Sequence, residues 1–218
     1  MSRLVFEKTG NAVWISHLDL MRVMQRSFRR AGLMLKHTGG FNQHAYVALA
    51  LPLSVGTESR CEILDFDLAE PCPPEELPER LNRVLPEGIC VLTAYEKGEK
   101  FGKLARLHVK ACAEYDGGIP MGAEAALTEL FRRETLTVEK QGKNGPVPVD
   151  LKPMIFSMEL LRLDGKTLLM DCVISAQNPT MNPMQLGQAI GKYLPEFRPD
   201  FFRCSRVEVL REDGTVFR

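Results

Sequence analysis

The sequence predicts an α+β chain built from two tandem βαββαβ units with antiparallel sheets. Three observations carry that reading. Short, mostly alternating apolar runs dominate, with only two helical patterns in each half. Glycine- or proline-bearing turns punctuate most junctions. The order strand, helix, strand, strand, helix, strand is read in the first half, and a similar order recurs after a polar, glycine-containing stretch at 97–103.

In the first half, residues 3–8 and 12–15 read as an opening strand or hairpin, with Thr9-Gly10-Asn11 as turn chemistry. Ser16 then reads as an N-cap, with Asp19 three residues on in a capping-box-like arrangement. The helix runs to Ala31, and Gly32 supplies its stop. Leu20, Met24, Phe28 and Ala31 form one stripe of it; Arg22, Arg26, Arg29 and Arg30 form another. Strands follow at 46–51 and 60–68, the second alternating through Cys61, Ile63, Phe66 and Leu68 with a phase slip near Leu64. Prolines and acidic residues at 73–76 suit the first turn of a second helix. That helix ends by Gly88, and residues 89–95 are the fourth strand.

In the second half, residues 105–114 read as a strand and 123–133 as a helix rich in Ala, Leu and Glu. Residues 136–140 are a strand followed by a loop over 141–147. Residues 156–163 and 167–175 form a hairpin across Asp164-Gly165. Residues 183–193 are a short helix capped by Asn182, and 202–210 close the chain. Such an order folds into the ferredoxin-like arrangement, a four-stranded antiparallel sheet with two helices on one face. The expected domains are 1–97 and 104–218 with a linker at 98–103, as separate sheets or merged into one.

Composition excludes several classes. No run of roughly 18 apolar residues is present, so no membrane helix is expected, and the first residues read as a strand, not a leader. The expectation is a cytosolic protein. The six cysteines, at 61, 72, 90, 112, 172 and 204, include no CxxC pair, and most sit in apolar surroundings that suit free thiols. The CxxxCxxC that holds a radical-SAM cluster is missing. Nucleophile-elbow, P-loop and GxGxxG motifs are also missing. No metal and no cofactor is expected. The net charge of zero hides an asymmetry: residues 1–50 carry seven Lys/Arg against two Asp/Glu, residues 51–100 five against eleven. A basic region of this kind offers a local landing site for an anion.

Three segments gather candidate site residues. The first is the helix start, Ser16, His17 and Asp19, with the arginines Arg22, Arg26 and Arg29 behind it; helix N-termini attract anions through free N–H groups. The second is the connection 36–46, where Lys36, His37, Phe41, Asn42, His44 and Tyr46 surround Gly39-Gly40. Aromatic, amide and imidazole groups beside a backbone free to approach a ligand suit a flat, anionic partner. The third is Asp150 and Lys152, two apart in a stretch read as extended and so on one side of it; a plain surface pair is the favoured reading, a partner contact the other. His17 and His44 together are also candidates for acid–base catalysis, as in metal-free ribonucleases.

Several of these stretches match a known group. Residues 6–10 (FEKTG), 15–22 (ISHLDLMR), 29–33 (RRAGL), 41–44 (FNQH), 51–59 (LPLSVGTES) and 149–153 (VDLKP) resemble the radical-SAM-linked proteins of the DUF2344 family. These resemble companions of, or C-terminal fusions to, B12-binding-type radical-SAM proteins. The family pattern prefers proline where Gln43 and Ala45 stand, so the second segment is expected to be less rigid here. The resemblance implies a radical-SAM partner and no particular reaction. Three functions follow as expectations: a non-catalytic companion that binds the substrate of that partner, with RNA as the substrate class; a metal-independent RNA-processing enzyme using His17 and His44; and a pure protein-interaction module.

Overall fold

The computed structural model describes residues 1–39, 43–142 and 145–218. The chain divides into two compact units, residues 1–103 together with Arg218, and residues 104–217.

The first unit runs β1 (Ser2–Lys8), α1 (His17–Arg30), β2 (Val47–Leu49), β3 (Glu58–Phe66), α2 (Leu77–Asn82) and β4 (Ile89–Glu96). Its strands lie in the order β4-β1-β3-β2, every pair antiparallel. That is the ferredoxin-like order, with the first strand central. Leu20, Met24 and Phe28 of α1 meet Leu4 and Phe6 of β1, Leu64 and Phe66 of β3, and Leu77 and Leu81 of α2 in one core. The rings of Phe28 and Phe66 stand 4.7 Å apart. The predicted apolar stripe of α1 is therefore its buried face.

Local signals set the ends of α1. The Ser16 hydroxyl accepts from the Asp19 backbone N–H at 3.2 Å and donates to the Asp19 carboxylate at 2.8 Å. At the other end Gly32 takes φ +69, and the Leu33 N–H reaches the Phe28 carbonyl at 2.9 Å. Arg80 of α2 then donates to the Ala31 carbonyl at 3.0 Å, satisfying an acceptor the helix leaves open.

Three sequence readings are corrected in this unit. Residues 10–14 form a 3-10 turn, not a second strand. The buried Lys8 ammonium draws the Val13 and Ile15 carbonyls inward at 3.0 and 2.9 Å, and this curls the chain. Nor does β3 slip phase at Leu64: its pairing with β1 is regular from Glu62 to Phe66 and shifts between Ser59 and Glu62. Because Cys61 through Phe66 are all buried, both faces of the strand are covered and simple alternation fails. α2 ends at Asn82, short of the expected Gly88, which instead takes φ +85 in the turn before β4, where a Cβ would clash with the Thr9 carbonyl oxygen.

On the sheet face away from α1, Arg3 and Asp65 are direct cross-strand partners. Arg3 donates to both carboxylate oxygens at 2.6 and 3.1 Å, and the two side chains are 0% and 1% exposed. Lys97 approaches the same carboxylate at 2.9 Å. The stretch expected as a linker closes over this pair: the Glu99 carbonyl accepts from Arg3 at 2.8 Å, and the Phe101 ring lies 4.9 Å from its guanidinium.

The second unit runs β5 (Arg106–Glu114), α3 (Ala123–Arg132), β6 (Thr137–Gly142), β7 (Gly145–Asp150), β8 (Ile155–Arg162), β9 (Thr167–Ser175), α4 (Met184–Tyr193) and β10 (Phe201–Leu210). Its main sheet has the order β10-β5-β9-β8, again antiparallel throughout. This repeats the arrangement of the first unit, with β6 and β7 inserted as a separate hairpin. The sequence read β6 but left β7 as loop and extended chain, because Pro146 and Pro148 argue against a strand. They are tolerated because a two-stranded ribbon leaves an open edge on each strand.

Burial holds the Cys172 thiol up at about 12, with Asp171 adding to the effect, and burial likewise pushes Cys204 up, with Cys172 and Cys112 nearby. A raised thiol pKa contributes stability that is complete below about pH 9 and lost as pH rises toward 12, because only the unfolded thiol ionises readily. The expected cost for Cys172 is on the order of 1 kcal/mol per pH unit in that window. Urea midpoints followed from about pH 8 to about pH 11 should therefore fall more steeply for the wild type than for Cys172→Ala. Parallel slopes would show that the thiol is not held neutral.

Candidate nucleic-acid interface

The polar face of α1 is the most basic surface element of the first unit. Positions 18, 22, 25 and 29 recur at intervals of three and four and so share one side of the helix. Along this side Arg22 is held by Asp19 at 2.8 Å, with both side chains largely exposed. The Ser16 hydroxyl, and then Arg22, hold the Asp19 carboxyl below the usual carboxylate range. Ser16, Asp19 and Arg22 thus form a closed cap cluster at the helix start.

Toward the other end the arrangement opens. Arg26 and Arg29 are exposed and have no hydrogen-bond or ion-pair partner among the described residues. They line a groove of about 370 Å³ together with Gln25, Leu33, Leu35 and His37. Its other wall is the chain that follows α1. A bridge from Leu35 to Leu68 ties this segment to the chain beyond β3, and one between His37 and Ala45 folds it back on itself. The Tyr46 N–H donates to the Lys36 carbonyl at 2.8 Å, and the Gln25 amide donates to the Ala45 carbonyl at 3.3 Å, tying the segment to the helix. The result is an apolar floor with guanidinium and imidazole groups at its rim. Such a groove can take a planar apolar group below and an anion above.

The other predicted residues fall as follows. Lys36 pairs with Asp67 at 3.2 Å, outside the groove lining. His44 faces Thr38, its Nδ1 3.2 Å from the hydroxyl. His17 is half-buried at the first turn of α1, where its Nδ1 is enclosed with no hydrogen-bond partner among the described residues. His17 opens α1, whereas His44 belongs to the segment tied to the helix through Gln25 and Ala45. Phe41 and Asn42 lie outside the described residues.

Asp150 and Lys152 belong to the second unit and are engaged by backbone. One Asp150 carboxylate oxygen accepts from the N–H groups of Leu136 and Lys152 at 2.7 and 3.1 Å, and the Lys152 ammonium donates to the Phe131 carbonyl at 2.8 Å. The extended run ends at Asp150, since 152–154 form a 3-10 turn.

Sequence reasoning found Arg26 and Arg29 but passed over Gln25, Leu33 and Leu35. Gln25 was within reach, because it sits one turn from Arg22 and from Arg29 on the same side. The apolar wall was not, since it depends on the Leu35–Leu68 bridge and on the Gln25–Ala45 hydrogen bond, which no local pattern announces. Among the described residues no three His, Cys, Asp or Glu side chains group as metal ligands, and no helix is long and apolar enough to cross a membrane.

Two ferredoxin-like units, one of them bearing an arginine-rimmed groove, define an α+β protein with a candidate anion site. The chain belongs to the family described as an uncharacterised protein conserved in bacteria, DUF2344, whose model matches residues 2–183. No curated protein matches it by sequence. Among solved structures, a chain of the Cbf5-Nop10-Gar1 complex is similar in fold, with a TM-score of 0.55 and 9% identity over 97% of this chain and 50% of that one. A chain of an H/ACA RNP bound to a substrate RNA containing 2'-deoxyuridine gives 0.49 and 9% over 99% of this chain and 50% of that one. The present chain therefore spans half the length of these matched chains, and at 9% identity the likeness to the Cbf5-Nop10-Gar1 chain is one of fold.

Proposed function

We propose that this protein is a non-catalytic companion of a radical-SAM protein and that it binds the substrate of that partner, an RNA. The observation that carries the RNA reading is the groove at the later half of α1, where Arg26 and Arg29 have no hydrogen-bond or ion-pair partner among the described residues and rim an apolar floor with His37. Unpaired guanidinium groups suit phosphates, and an apolar floor between them suits a base. The radical-SAM partner rests on the family resemblance and on the absence of a cluster-binding cysteine motif in the chain itself. A cytosolic location follows from that partnership.

The test has two arms. Fluorescence anisotropy with a labelled single-stranded RNA should show binding that weakens steeply as salt rises, because released counterions drive it. Co-expression with a B12-binding-type radical-SAM protein should yield a complex. Absence of salt-sensitive RNA binding would defeat the RNA reading. A complex formed without RNA affinity would leave a pure interaction module.

A further inference from the structure

The only tryptophan of the chain, Trp14, is 70% exposed, yet its surroundings hold it in place. The carbonyls on both sides of it, those of Val13 and Ile15, accept from the fully buried Lys8 ammonium at 3.0 and 2.9 Å. The Gly56 N–H donates to the Val13 carbonyl at 2.9 Å. Gly56 itself has φ +81, and a Cβ there would meet the indole ring at 3.4 Å. The indole thus rests on the Gly56 turn and presents much of its surface to water.

A buried ammonium is costly unless carbonyls or carboxylates surround it, so this bracket is a considerable device for fixing one exposed residue. Packing alone gives no reason for it, since the ring buries little. A flat aromatic surface fixed in place and open to solvent is how proteins hold unpaired bases, by stacking that tolerates any base identity.

The charge nearby points to the same kind of ligand. Trp14 leads directly into α1, which is about 20 Å long and carries Leu18, Arg22, Gln25 and Arg29 along one side toward the groove. Of the seven Lys/Arg in residues 1–50, Arg3 and Lys8 are buried and Arg22 and Lys36 are ion-paired, while Arg26 and Arg29 are exposed with no hydrogen-bond or ion-pair partner among the described residues and so suit a polyanion. We infer that Trp14 is a stacking platform for an unpaired base of the RNA strand whose phosphates Arg26 and Arg29 hold. The site is then bipartite, with an aromatic contact before α1 and an anionic contact near its end. This inference rests on the RNA reading given above.

The single tryptophan makes the test direct. Titrating the wild type with an oligouridine of about twelve nucleotides at low salt should quench the intrinsic indole emission. Trp14→Ala should bind the same strand about tenfold more weakly, while Trp14→Phe should keep most of the affinity. Duplex RNA of the same length should bind without dependence on residue 14, because its bases are already stacked.

If the strand binds through Arg26 and Arg29 with unchanged emission and equal affinity for Trp14→Ala, the platform is overturned and the RNA reading survives. If no strand binds at all, both fail. If emission changes only on mixing with the radical-SAM protein, the indole is a protein contact and the stacking assignment is overturned.

Discussion

Replacing Asp65 by alanine is expected to cost about 3–5 kcal/mol of folding stability, the range for breaking a buried ion pair from one side. The size follows from what remains. Arg3 is completely buried and would keep only the Glu99 carbonyl and the Phe101 ring among the contacts described above, with Lys97 now an unopposed neighbouring cation. Arg3 cannot shed its proton to escape, because a guanidinium stays charged in proteins. A loss of that size is a large share of the 5–15 kcal/mol that typically holds a domain together.

Urea unfolding read by circular dichroism gives the number directly. The paired change Arg3→Met with Asp65→Leu should recover most of the loss, since removing both charges is often neutral once the volume is filled. A single Asp65→Ala variant within about 1 kcal/mol of wild type would show that the pair is not buried as described.

The second large effect concerns binding. The double variant Arg26→Ala, Arg29→Ala should bind single-stranded RNA on the order of tenfold more weakly near physiological salt, with the slope of log K against log salt shallower by roughly 1.4. Both figures come from removing two phosphate contacts to a single strand. Arg22→Ala should move the slope less, because Arg22 is already engaged by Asp19. Both residues of the double variant are exposed, so its folding stability should match wild type. An unchanged slope in the double variant would remove the groove from any account of RNA binding.

What the sequence announces and what it conceals divide along the distance between interacting residues. Ser16 with Asp19, Gly32, and the stripe Leu20-Met24-Phe28 could be read because a cap, a left-handed stop and a helical period each lie within a few residues. The βαββαβ order of the first unit could be read for the same reason. The turn at 10–14 could not, because the Lys8 ammonium and the backbone of Gly56 decide it. Residues 12–15, taken alone, are a short apolar run that reads as a strand.

The Arg3–Asp65 pair joins residues 62 positions apart and leaves no local trace. β7 was concealed by its own prolines. At the candidate site, the arginine side of α1 was legible as periodicity, but the groove was not, because its floor belongs to a segment that only tertiary bridges bring alongside.

The central place of the first strand in each sheet has a consequence for how the chain acquires its structure. Ser2 lies opposite both Phe66 and Glu96, and Arg106 opposite both Ser175 and Leu210. Each unit therefore opens with a strand whose two neighbours are made last, and pairing must wait until the rest of that unit has left the ribosome. Until then the apolar side chains of β1 and the charge of Arg3 have nothing to pair with. The nascent first unit is a candidate for chaperone contact through most of its own synthesis.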